Sequence, residues 1–118
     1  MNIDSVLDRQ ELYSRVDDDM ELLQELIELF LEDYPQLMSE INESIQSENA
    51  DGLKAAAHTL KGSVSNFCAQ KAVDAALKLE ISGSKQDFTS GVADFHTLKE
   101  AMDEVSQALE ELSKECVV

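Results

Sequence analysis

Along the 118 residues the apolar positions recur every three or four places, not every second one. Met20, Leu23, Ile27, Phe30, Tyr34, Leu37, Ile41 and Ile45 form one such set. It follows an acidic start at Asp17-Asp18-Asp19, which suits the positive end of a helix dipole. Pro35 falls inside the set, yet Phe30 and Tyr34 before it and Leu37 and Ile41 after it stay within about 40° of Leu23 on a helical wheel. The spacing therefore predicts one long helix over about 19–47, kinked near the proline, in preference to two. Leu53, Ala57, Leu60, Val64 and Phe67 define a second helix over 50–67, opened by the turn and cap residues from Ser47 to Gly52. Ala72, Val73, Ala76 and Leu77 give a third over 69–81. Ser82-Gly83-Ser84 and Thr89-Ser90-Gly91 read as breakers around a loop. Val92, Phe95, Leu98, Met102, Val105, Leu109 and Leu112 then place the last helix over 91–114. A shorter helix from Asp4, its candidate N-cap, to about Ser14 carries Val6, Leu7 and Leu12 and covers one end of the core. No run alternates in the manner of a strand.

Each of the four longer helices has a single apolar stripe and must bury it against the others. The expected architecture is all-α: an antiparallel four-helix bundle with a short extra N-terminal helix, one domain over 1–118. Two cysteines, Cys68 and Cys116, are too few for a disulfide framework, and Cys116 falls in a terminal stretch expected to fray. Reduced thiols and a cytoplasmic location follow. No basic segment precedes an apolar run at the N-terminus and no stretch has the length of a membrane span, while the starting Met1 favours a free-standing module. Twenty-five acidic residues against nine basic ones give a net charge of −16. Nucleic acid and anionic membrane surfaces would be repelled, so the expected partner is a protein, met by a monomer.

Several chemistries are absent from the sequence. There is no glycine-rich phosphate loop, no His-Glu-x-x-His, no Glu-x-x-His and no Cys-x-x-Cys, and no metal or other cofactor is expected. What stands out is a second face of the 50–67 helix. With Leu53 at zero, Lys54, His58, Lys61, Gly62 and Ser65 lie between about 80° and 180°, beside the core stripe. A neutral imidazole can attack an electrophilic phosphorus, provided that it is exposed. Lys61 and Lys54, one turn to either side of His58, would offset the charge of a phosphoryl group, and Ser65 would donate a hydrogen bond to it. Gly62 leaves the imidazole unshielded toward a docking protein. Singly, each residue has a plainer reading: a surface histidine, solvating lysines, a glycine at a close helix contact, a surface serine. Together on one face they favour phosphotransfer on His58. His96-Thr97-Leu98-Lys99 repeats the His58-Thr59-Leu60-Lys61 tetrapeptide, but Glu100 stands where Gly62 follows the first copy, so His96 reads as an ordinary helical histidine.

Ala55-Ala56-Ala57-His58-Thr59-Leu60-Lys61-Gly62-Ser63 closely resembles the signature of histidine-containing phosphotransfer domains of multistep two-component phosphorelays, and the order of helices resembles that family over nearly the whole chain. The resemblance implies that His58 is the phospho-acceptor, Lys61 the nearby cation and Gly62 the opening for docking. It places Glu80 on the neighbouring helix, facing the histidine. Val64 stands where a second small polar residue is common, and Cys68 where a glycine usually follows the motif. It further implies a phosphocarrier without catalytic machinery of its own, which exchanges a phosphoryl group with the aspartate of receiver domains, in a hybrid histidine kinase or in response regulators. The Mg²⁺ would sit on the receiver. Two alternatives are the kinase-substrate domain of a chemotaxis-type histidine kinase and a helical adaptor that transfers nothing.

Overall fold

A computed structural model describes residues 2–116. The chain begins with a 3-10 turn, Ile3–Ser5, and continues through α1 (Arg9–Arg15), α2 (Met20–Gln46), α3 (Ala50–Ser65), α4 (Gln70–Lys85) and α5 (Phe88–Glu115). The fold is all-α. The helices α2 to α5 form a ring in which α2 packs on α3, α3 on α4, α4 on α5 and α5 back on α2. The first segment splits where one helix was expected. Asn2 caps the 3-10 turn, accepting from the Asp4 backbone N–H, and Asp8 caps α1 by accepting from Glu11 N–H. Asp4 is thus inside the turn and caps nothing. The segment closes one end of the bundle: Ile3, Leu7 and Leu12 are buried, Asp8 N–H donates to the Cys68 carbonyl, and Arg9 pairs with Glu115 at 2.9 Å. That closure also buries Cys116, which the sequence suggested would fray. Met1, Val117 and Val118, included in the expected 1–118 domain, lie outside the described residues.

The helix α2 runs without interruption through Pro35, which is exposed. The ring removes one main-chain donor but leaves the apolar phase intact. Leu23, Ile27, Phe30, Ile41 and Ile45 are buried, with Met20, Tyr34 and Leu37 packed partly against them. Phe30 stacks on Tyr34 with ring centroids 5.3 Å apart and meets Phe67 at 5.0 Å. All five core positions expected of the 50–67 stretch are buried: Leu53, Ala57, Leu60 and Val64 in α3, and Phe67 just beyond its end.

The helix α4 departs most from the periodicity. Its buried positions are Ala72, Ala75, Ala76, Leu79, Ser82 and Gly83, while Leu77 is 39% exposed. The stretch Ser82-Gly83-Ser84 is helix, not loop, because a small residue is what the α3 contact requires there. A Cβ on Gly83 would stand 2.8 Å from the Lys54 backbone nitrogen. The connection shrinks to Gln86 and Asp87. Gln86 adopts a left-handed conformation (φ 56°), so that its N–H and that of Asp87 reach the carbonyls of Gly83 and Ser82. Asp87 then caps α5 by accepting from Ser90 N–H, which draws Thr89-Ser90-Gly91 into the first turn of that helix. Val92, expected in the core, is 64% exposed.

Candidate functional site

His58 sits near the middle of α3, a helix whose N-terminus is capped by the Asn49 side chain accepting from Gly52 N–H at 3.0 Å. Leu53, Ala57, Leu60 and Val64 lock the inner stripe into the core, which fixes the opposite face outward. The imidazole is 69% exposed. Across the α3–α4 boundary stands Glu80, only 16% exposed, and its Oε1 lies 2.8 Å from His58 Nδ1. The same carboxylate receives two hydrogen bonds from Lys61 Nζ, 2.9 Å to Oε1 and 3.1 Å to Oε2. Hydrogen bonds from Lys61 are the largest influence on the Glu80 carboxyl; burial opposes them, the His58 bond adds to them, and the net effect holds the group below its ordinary value of 4.5.

An ionised carboxylate has no proton to give. The 2.8 Å bond therefore places a proton on His58 Nδ1, and in the neutral ring the lone pair is on Nε2, pointing away from Glu80. The site is thus an exposed imidazole with its tautomer fixed from behind, next to an ammonium group already held in place. Lys61 has three donors and spends two directions on Glu80.

Gly62, one turn beyond His58, is exposed, and a Cβ built there meets no atom within 4 Å. The close-contact explanation for this glycine therefore fails. Lys54, one turn before His58, is exposed and enters no ion pair among the described residues. The Ser65 hydroxyl donates to the Gly62 carbonyl at 2.7 Å, and Arg15 Nη1 donates to the Ser65 carbonyl at 2.9 Å. Seven residues of rise separate Ser65 from His58, about 10 Å along the axis. This serine is the last residue of the helix, and its hydroxyl is turned to the Gly62 carbonyl. His96 pairs with Glu100 at 3.0 Å on the exposed face of α5, a helix that packs on α2 and α4.

Two features were not read from the sequence. Leu22, Leu26 and Leu29 form an exposed stripe on α2, and Leu26 and Leu29 border an apolar groove of about 320 Å³ that Leu12, Val16 and Phe67 also line. Their spacing of four and three was visible, but it runs beside the stronger core stripe and was absorbed by it. The second is Gly83, hidden among residues that read as a loop.

Among the described residues no group of three or more His, Cys, Asp or Glu is placed to hold a metal ion, and no helix is long and apolar enough to cross a membrane. No curated protein matches the chain. Among solved structures, histidine-containing phosphotransfer protein B (HptB) from Pseudomonas aeruginosa PAO1 is similar in fold, with a TM-score of 0.86 at 20% identity, over 92% of this chain and 95% of that one. The family model described as the Hpt domain matches residues 25–113, a span that holds all of α3 and α4 and most of α2 and α5 together with the His58, Lys61 and Glu80 cluster, and the chain belongs to that family.

Proposed function

We propose that His58 Nε2 is the phospho-acceptor of this phosphorelay intermediate. The observation that carries the reading is the 2.8 Å bond between His58 Nδ1 and Glu80, which leaves Nε2 as the nucleophilic nitrogen on the open side of a 69% exposed ring. In the forward step the bond between phosphorus and a receiver aspartate's oxygen breaks, a bond between phosphorus and Nε2 forms, and the aspartate leaves as carboxylate. The Nδ1 proton stays where it is, hydrogen-bonded to Glu80. Lys61 lies close enough on its anchored stem to turn its remaining donor to a phosphoryl oxygen. Lys54 adds positive charge one turn away. The receiver supplies its own Mg²⁺ and aspartate. The chain's contribution is position and electrostatics, that of a carrier and not of an enzyme.

Access is the other half of the reading. Gly62 opens the side of the ring, and the exposed leucines of α2 offer apolar surface for the partner's docking face. The partners are receiver domains of a hybrid histidine kinase or of response regulators, and the interface is small and transient. Two free thiols, Cys68 and Cys116, suit the reducing cytoplasm. The test compares two donors. Incubation with phosphorylated receiver domains is expected to label the protein within seconds to minutes, while a histidine-kinase catalytic core with ATP is not. Labelling by the kinase core alone would reassign the chain as a kinase-substrate domain.

A further inference from the structure

The four glycines differ in what a side chain would meet. At Gly62 it meets nothing, at Gly91 an Ile45 methylene at 3.7 Å, and at Gly52 the side chains of Asn49 and Ser44, which can rotate aside. Gly83 alone faces backbone: Lys54 N at 2.8 Å, Ala50 O at 3.1 Å and Lys54 Cα at 3.1 Å. Main-chain atoms inside a helix cannot swing away, so any side chain at 83 forces α3 and α4 apart by roughly half an ångström or more.

We infer that Gly83 is a positioning residue for the phospho-acceptor: it sets the α3–α4 separation at which Glu80 reaches His58 Nδ1, and so sets which imidazole nitrogen is nucleophilic. The geometry is short-ranged. Glu80 lies three residues before Gly83 on α4, and His58 lies four residues after Lys54 on α3, so the contact and the hydrogen bond are one helical turn apart. The bond is 2.8 Å long and joins a stiff ring to a carboxylate that is mostly buried. Lys61, with its flexible stem, can follow a small retreat of Glu80; the imidazole follows less well. Separation of the helices thus breaks the His58 bond before the Lys61 pair, and frees the ring to carry its proton on Nε2.

The role rests on His58 as acceptor, but its test does not need a partner. In the wild-type protein ¹⁵N-histidine spectra near neutral pH are expected to show the neutral His58 ring protonated on Nδ1. In Gly83→Ala the proton is expected to move largely to Nε2, and the rate of His58 phosphorylation by phosphoramidate to fall by about tenfold. Gly91→Ala, with room for its methyl group, is expected to leave both unchanged. Gly83→Ala is also made in the Gly91→Ala background, so that the gain in helix propensity supports the fold. A folded Gly83→Ala protein with an unaltered Nδ1-protonated ring overturns the inference, and so does loss of the folded bundle in both backgrounds, which would assign Gly83 to stability alone. A tautomer shift in a protein that accepts no phosphoryl group from any receiver supports the positioning and overturns only the transfer reading.

Discussion

Glu80 holds two neighbours with one carboxylate, and its titration reports on both. Its folded value lies below 4.5, so the stabilisation it gives is fully present above pH 4.5 and is lost as the pH falls through the folded value. Carboxyl NMR of Glu80 is expected to give a midpoint below the ordinary range in the wild type, and a higher one in Lys61→Met; equal midpoints would show that Lys61 does not carry the shift. Gly62 makes a separate prediction. A helix-interior glycine costs roughly 0.5–1 kcal/mol against alanine, and here no packing contact offsets it. Gly62→Ala is expected to raise the unfolding midpoint slightly, whereas Gly62→Glu is expected to slow transfer from a receiver at least tenfold with the bundle still folded. Normal transfer by the glutamate variant would show that open access is not what Gly62 provides. At this scale the sequence was largely legible. His58, Lys61 and Glu80 meet, because spacings of three and four residues fix positions within a helix and the family resemblance supplied the one position across helices. Ser65, expected to donate to a phosphoryl group, stands at the last residue of α3 with its hydroxyl donating to the Gly62 carbonyl, because position on a wheel does not reveal how far along the axis a helix ends.

Element boundaries were less legible, for one physical reason: serine and glycine break exposed helices but serve buried ones. Ser82 is 6% exposed and donates to Asp94 across the α4–α5 contact, and Gly83 sits against backbone. Both are helical because tertiary packing outweighs propensities of about 1 kcal/mol. The α3–α4 junction shows the converse. Cys68 adopts a left-handed conformation (φ 58°) where the family commonly has glycine, and α3 accordingly ends at Ser65, short of the expected 67. The start of α3 rests on its cap. Asn49→Ala removes the acceptor for Gly52 N–H and is expected to cost about 1 kcal/mol in urea denaturation, with His58 chemistry unchanged in the folded fraction. A change below a few tenths would mean that Ser47 or solvent replaces the cap.

Over the whole molecule the charge is unevenly divided. The helices α3 and α4 carry five lysines against Asp51, Asp74 and Glu80, whereas α2 carries seven acidic residues and no lysine or arginine. Packed on α2 is α5, with seven more acids and two lysines. The bundle, 46 Å long and about 20 Å across, therefore holds its least acidic flank around His58 and repels itself along the opposite one. Raising NaCl from 20 to 200 mM is expected to raise the thermal midpoint by screening that repulsion; a fall would place the net electrostatic balance in the ion pairs. The central claim is most directly tested by mapping the label. Incubated with receiver domains of the source organism charged with radiolabelled phosphate, the wild-type protein and His96→Gln are expected to acquire label that survives alkali and is lost in acid, and His58→Gln none. Label undiminished by His58→Gln and abolished by His96→Gln would contradict the account.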